Sequence, residues 1–82
     1  MKQSDFEVPV RPYGKAELGH MYRGDDCKDR AARIWMDREI SKCPGLREEL
    51  RRLGYNTLQK GYTIAQVRAI FNAIGEPYFT AD

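Results

Sequence analysis

The spacing of apolar residues changes along the chain, and each change marks an element. Phe6, Val8 and Val10 alternate with other residues, the period of a strand, while Pro9 and Pro12 confine that strand to an edge or an extended arm. Past Tyr13-Gly14 the period lengthens. Leu18, Met21 and Tyr22 fall at i, i+3 and i+4 and predict a short first helix from Lys15 to Tyr22. Arg23-Gly24-Asp25-Asp26 interrupts it, with Gly24 suited to a left-handed C-cap and either aspartate to the N-cap of the next helix. From about Cys27 to Lys42 a second helix carries Ala32, Trp35, Met36, Ile40 and Cys43 along one stripe, with Ile34 outside it. Pro44 fits the first turn of a third helix that runs to Leu53, has Leu46, Leu50 and Leu53 inward, and stops at Gly54. Glu48 and Arg52 form a favourable i,i+4 pair on its outer side.

The stretch Gly54 to Gly61 is rich in turn formers and long enough for a small hairpin in which Tyr55 to Thr57 pairs with Lys60 to Tyr62. The strongest local signal comes directly after it. Thr63 with Gln66 is a capping box, and Tyr62 and Val67 occupy the two positions of a hydrophobic staple. They start a fourth helix with Ile64, Val67, Ile70, Phe71 and Ile74 inward, ended by Gly75 and kept from continuing by Pro77. The β-prone tail Tyr78-Phe79-Thr80 is a candidate to pair with the Phe6 to Val10 arm. The pattern as a whole predicts a mainly α protein: a small four-helix domain over residues 13–77 with a helix-turn-helix-like core and a short β-hairpin wing. An extended N-terminal arm over 1–12 and a C-terminal tail over 78–82 flank it.

Composition bounds this picture. A chain of 82 residues buries only about 60% of its unfolded surface and holds one core. No apolar run approaches the ~18 residues that cross a bilayer, and the opening MKQSDFEV lacks the layout of a signal peptide. A cytoplasmic protein with no membrane partner is therefore expected.

Cys27 and Cys43 form no CxxC pair, and the only histidine, His20, precedes the first of them by seven residues. This is not a zinc pattern, and two reduced thiols are expected. A Cys-His dyad lacks an orienting third group in the nearby sequence, phosphate-binding glycine motifs are absent, and the chain is short for a substrate pocket. Neither metal nor cofactor nor enzymatic activity is read from these residues.

The net charge of +2 conceals an uneven distribution. Residues 28 to 52 carry eight basic and five acidic side chains, against four and five before them and two and two after. On the second helix Arg30, Arg33 and Arg38 point away from the Trp35-Met36 stripe, with Lys28 near its start. Such a face suits DNA phosphates. Interspersed Asp29, Asp37 and Glu39 allow the alternative of a solvated helix surface. A short helix, a tight turn and a longer helix with outward arginines is the layout in which a second helix enters the major groove. A wing at 55 to 62 would add Lys60.

The segment Tyr13-Gly14-Lys15-x-Glu17-Leu18-x-x-x-Tyr22, with Gly54-Tyr55-Asn56 and the run from Tyr62-Thr63 to Gly75-Glu76-Pro77, resembles an uncharacterised family of small gut-bacterial proteins known as a domain of unknown function. The resemblance spans about residues 6 to 78, and its most specific part is Gly75-Glu76-Pro77. It implies a bacterial cytoplasmic protein and no established activity. A looser similarity is to winged helix-turn-helix proteins of the mercury-resistance-regulator and phage-excisionase type, through Glu17-Leu18 and Tyr62-Thr63. That similarity implies Lys28 to Lys42 as the recognition helix, with Lys28, Arg30 and Arg33 nearest the DNA and Lys60 in the wing. The sequence departs from it in Gly19, where alanine is usual, and in the inserted third helix.

Two functions are expected on these grounds. One is a small DNA-binding regulator or accessory factor that works with a homodimer mate or another protein, because a monomer this small reads few base pairs. The alternative is a non-enzymatic protein-interaction adaptor built on some of the nine aromatic residues.

Overall fold

The computed structural model describes residues 8–77. Its elements are β1 (Tyr13–Gly14), α1 (Lys15–Arg23), α2 (Asp29–Lys42), α3 (Leu46–Arg52), β2 (Gly61–Tyr62) and α4 (Ile64–Ile74). The mainly α class, the four helices and a small antiparallel strand pair agree with the sequence reading.

The strands pair with each other, Tyr13 opposite Tyr62 and Gly14 opposite Gly61. Gly61 permits the approach, since a Cβ there would stand 2.6 Å from the Tyr13 carbonyl oxygen. The partner of Gly61 and Tyr62 is therefore β1 and not the expected Tyr55 to Thr57. The physical reason lies in Asn56, whose Oδ1 accepts from the amides of Leu58 (2.8 Å) and Gln59 (3.1 Å) and bends that segment into a turn. β1 leads directly into α1, and β2 leads through Thr63 into α4, so the sheet ties together the starts of two helices.

α1 and α2 cross closely because Gly19 has no side chain. A Cβ at Gly19 would lie 2.4 Å from the Ala32 carbonyl oxygen. Leu18, Ala32, Met36 and Ile40 are buried at or beside this crossing, and Leu46, Leu50, Val67, Ile70 and Phe71 complete the core with Tyr13 and Tyr62. α4 begins as its capping box requires: Thr63 Oγ1 accepts from the Gln66 amide (3.3 Å) and Gln66 Oε1 from the Thr63 amide (3.0 Å). Gln66 is fully buried, and its Nε2 donates to the Leu53 carbonyl at 3.1 Å.

Several boundaries differ from expectation. α2 starts at Asp29, with Lys28 at the N-cap and neither Asp25 nor Asp26 capping it. Pro44 lies before α3, because Gly45 occupies the N-cap at φ +81°, outside the helical region. α3 ends in a Schellman motif, with the amides of Gly54 and Tyr55 donating to the carbonyls of Arg51 (3.0 Å) and Leu50 (2.9 Å). Leu53 thereby leaves the inward stripe and is 37% exposed. Ile64, in the first turn of α4, is 46% exposed rather than inward.

Of the N-terminal arm, Val8 to Pro12 forms no strand but is tied down. Val8 N donates to Glu76 Oε1 at 2.8 Å, and Tyr13 Oη donates to the Pro9 carbonyl at 2.6 Å. Phe6 and the Tyr78-Phe79-Thr80 tail, with the pairing expected between them, lie outside the described residues.

Candidate nucleic-acid interface

The first half of α2 carries Arg30, Arg33, Ile34 and Asp37 at i, i+3, i+4 and i+7, a single stripe on the side away from the core. This stripe is one wall of a concavity of about 900 Å³. Thr57 to Lys60, Gly14 to Glu17, Tyr55 and Tyr62 line the rest of it. Of the five basic candidates, the fold thus brings Arg30, Arg33 and Lys60 together. Lys28, at the N-cap of α2, and Arg38, beyond the stripe, are exposed but do not line the concavity.

Lys15 joins this group although sequence reading passed over it. Its signal was present in its position directly after Tyr13-Gly14, but only the strand pairing shows which loop it meets. The Lys15 amide donates to the Lys60 carbonyl (3.1 Å), its Nζ donates to the Thr57 carbonyl (3.2 Å), and that ammonium lies 4.9 Å from the centre of the Tyr55 ring. Tyr55 in turn stacks on Tyr62 with ring centres 5.8 Å apart. Gln59 completes the loop's support by donating from Nε2 to Gln66 Oε1 at 2.8 Å. The loop is fixed by α1 and α4, and its tip, Leu58, is 89% exposed.

Two carboxylates line the same concavity, and both are already engaged. Glu17 accepts from the Gly14 amide (3.1 Å) and from Arg11 (3.0 Å), contacts that hold its carboxyl below the usual carboxylate range. Asp37 accepts from Arg47 at 3.1 Å, which also bonds the Asp37 carbonyl and Ser41 and so ties α3 to α2. Among the described residues, no acidic side chain pairs with Arg30, Arg33 or Lys60. The concavity therefore presents a local positive charge that the near-neutral total hides.

His20 is the second constellation. Its Nε2 lies 2.9 Å from Asp29 Oδ1 and its Nδ1 3.0 Å from the Gly24 carbonyl oxygen. Asp29 is the acidic partner that inspection of the nearby sequence did not supply. Cys27 Sγ stands 3.9 Å from Nδ1, farther than the carbonyl that Nδ1 already faces. Among the described residues no group of three or more His, Cys, Asp and Glu side chains is placed to hold a metal, and no helix is long and apolar enough to cross a membrane.

The run Gly75-Glu76-Pro77 has a structural part in the fold. Gly75, at φ +100°, ends α4 and accepts the Tyr22 hydroxyl, Glu76 accepts from Val8, and Pro77 is buried. These contacts lie apart from the basic concavity. No curated protein and no solved structure matches the chain. The sequence profile described as "Domain of unknown function (DUF4248)" matches residues 9–77. With 69 of 82 residues inside that match, the chain belongs to the DUF4248 family.

Proposed function

We propose that this protein is a small cytoplasmic DNA-binding factor, with α1 and α2 acting as a helix-turn-helix and the loop before β2 as a short wing-like flank. The observation that carries this reading is the convergence of Arg30, Arg33 and Lys60 on one concavity whose two carboxylates are already neutralised by Arg11 and Arg47. A phosphodiester backbone needs such a surface, because each phosphate contact releases condensed counterions and adds sequence-independent affinity. The α2 stripe supplies side chains long enough to reach base edges, arginine to guanine above all. A single copy covers few base pairs, so a homodimer or a partner protein belongs to this reading.

The test is fluorescence anisotropy with labelled random and mixed-sequence duplexes at low salt, using protein at tens of micromolar. Replacing both Arg30 and Arg33 by Glu is expected to abolish binding while leaving the melting temperature unchanged, since both side chains are exposed. Absence of binding by the unaltered protein under those conditions overturns the proposal.

A second reading, an interaction adaptor, has one observation in its favour. Leu58 at 89% and Ile34 at 46% exposure place two apolar side chains at the same concavity. Leu58→Ser with the arginines intact separates the two: a DNA reader keeps most of its affinity, because phosphate contacts are unaffected.

A further inference from the structure

His20 stands where α1 ends and the turn to α2 begins, and its ring is held from two sides. Nδ1 faces the carbonyl oxygen of Gly24, the C-cap of α1, at 3.0 Å, and Nε2 faces the carboxylate of Asp29, the first residue of α2, at 2.9 Å. One imidazole thus spans the two ends of the turn. A neutral imidazole has one N–H and one lone pair, so either tautomer sets a lone pair against an acceptor, whereas imidazolium donates at both nitrogens.

Of the remaining groups around the ring, the carboxylates favour the protonated form, while the apolar neighbours and the Cys27 thiol, whose S–H donates only to an unprotonated Nδ1, oppose it. From the turn, the Asp25 carboxylate lies 3.8 Å and the Cys27 thiol 3.9 Å from Nδ1. From α1 itself, Glu17 lines the hollow beside the ring. The N-terminal segment contributes Val8 and the chain after α4 contributes Pro77, both apolar, and among the described residues no lysine or arginine lines that hollow. The side chain is 17% exposed, so protons reach it from solvent.

We propose that His20 is a proton-operated latch. Protonated, it fastens the first turn of α2 to the end of α1. Deprotonated, it loses one of its two contacts and loosens the turn from which Arg30 projects, one residue beyond Asp29. The latch stands on its own geometry, whereas its effect on DNA rests on the function proposed above.

The direction is set by linkage. The Gly24 carbonyl first and Asp29 second hold the ring protonated above the ordinary imidazole range. A raised folded-state value means that the latch contributes fully below the unfolded value of about 6.5 and is lost as the pH rises through the folded one.

The experiment uses the full chain, His20→Gln and Asp29→Asn, with three measurements. Ring nitrogen NMR is expected to show a titration midpoint above the ordinary imidazole range in the unaltered protein, with both nitrogens protonated below it, and a lower midpoint in Asp29→Asn. Thermal melting from pH 6 to pH 8.5 is expected to fall by a few degrees in the unaltered protein relative to His20→Gln. Anisotropy with a 20-base-pair duplex is expected to show several-fold weaker binding at the higher pH, a difference that His20→Gln removes. A midpoint at or below about 6.5, or parallel melting profiles in the unaltered protein and His20→Gln, overturns the latch. Equal duplex affinity at both pH values, with melting shifted, overturns its link to the concavity. If no duplex binds at either pH while the ring titrates as expected, the DNA reading fails and the latch stands.

Discussion

Gly19 and Glu17, two residues apart, are set by different physics. At Gly19 the constraint is steric: helix propensity favours alanine by about 1 kcal/mol, yet a Cβ here meets the Ala32 carbonyl at 2.4 Å, a backbone atom that cannot rotate away. Gly19→Ala is expected to destabilise the fold by about 2 kcal/mol, roughly 10 °C in Tm, and calorimetry checks it. At Glu17 the constraint is electrostatic. The Gly14 amide and then Arg11 hold its carboxyl low, so its contribution is complete above the ordinary carboxylate range and is lost as the pH falls through the lowered folded value. The side chain is 49% exposed, which limits the effect to about 0.5 kcal/mol. Acid titration of the melting temperature is expected to be shallower in Glu17→Gln by that amount. Gly19 is legible in the sequence as a glycine where alanine is usual. The pairing of His20 with Asp29 is not, because it depends on where the turn places the first residue of α2, and α2 starts two residues later than its apolar stripe indicates.

At the scale of elements, legibility tracked the range of the determining contacts. α4 was readable from Thr63, Gln66 and its stripe, since a capping box is complete within four residues. Thr63→Ala is expected to cost about 1 kcal/mol by urea titration. The loop at 55 to 60 does not pair within itself as the expected hairpin of 55 to 57 with 60 to 62, and its seat in the fold depends on distant partners that spacing does not show: Lys15 at one side, Gln66 at the other, and Tyr13 as the mate of Tyr62. Its internal turn rests on Asn56. Replacing Asn56 with Ala leaves the Leu58 and Gln59 amides without their side-chain acceptor. That change is expected to free the loop tip, seen as faster amide exchange at Leu58 and Gln59, and to weaken duplex binding several-fold if Lys60 contacts phosphate. The end of α3 shows the same rule from the other side. Gly54 announced the stop, but the Schellman geometry that turns Leu53 outward requires Tyr55 to fold back on Leu50, which apolar spacing alone does not specify.

For the whole molecule, a net charge of +2 is a poor guide to the surface it presents. Charge by segment located an excess on residues 28 to 52, but the fold divides that excess: Arg30 and Arg33 enter the concavity, Arg47 is consumed by Asp37, and Lys28 and Arg38 remain outside. Lys60, from a segment with no excess of its own, completes the group. This partition predicts a salt dependence that total charge does not. Lys15 is held by the Thr57 carbonyl and the Tyr55 ring, so Arg30, Arg33 and Lys60, each meeting a phosphate, give a slope of log affinity against log salt of about −3, near 0.9 per contact. Removing one of Arg30, Arg33 or Lys60 as alanine is expected to reduce the slope by about 1 and weaken binding to all sequences alike wherever the contact is to phosphate. Lys28→Ala and Arg38→Ala are expected to leave the slope within error of the unaltered protein. Anisotropy titrations from 20 mM to about 200 mM salt measure it. Slope losses at Lys28 and Arg38 equal to those at Arg30 and Arg33, with none at Lys60, would mean that DNA lies along the outside of α2 and that the concavity beside the loop is not the surface that receives it.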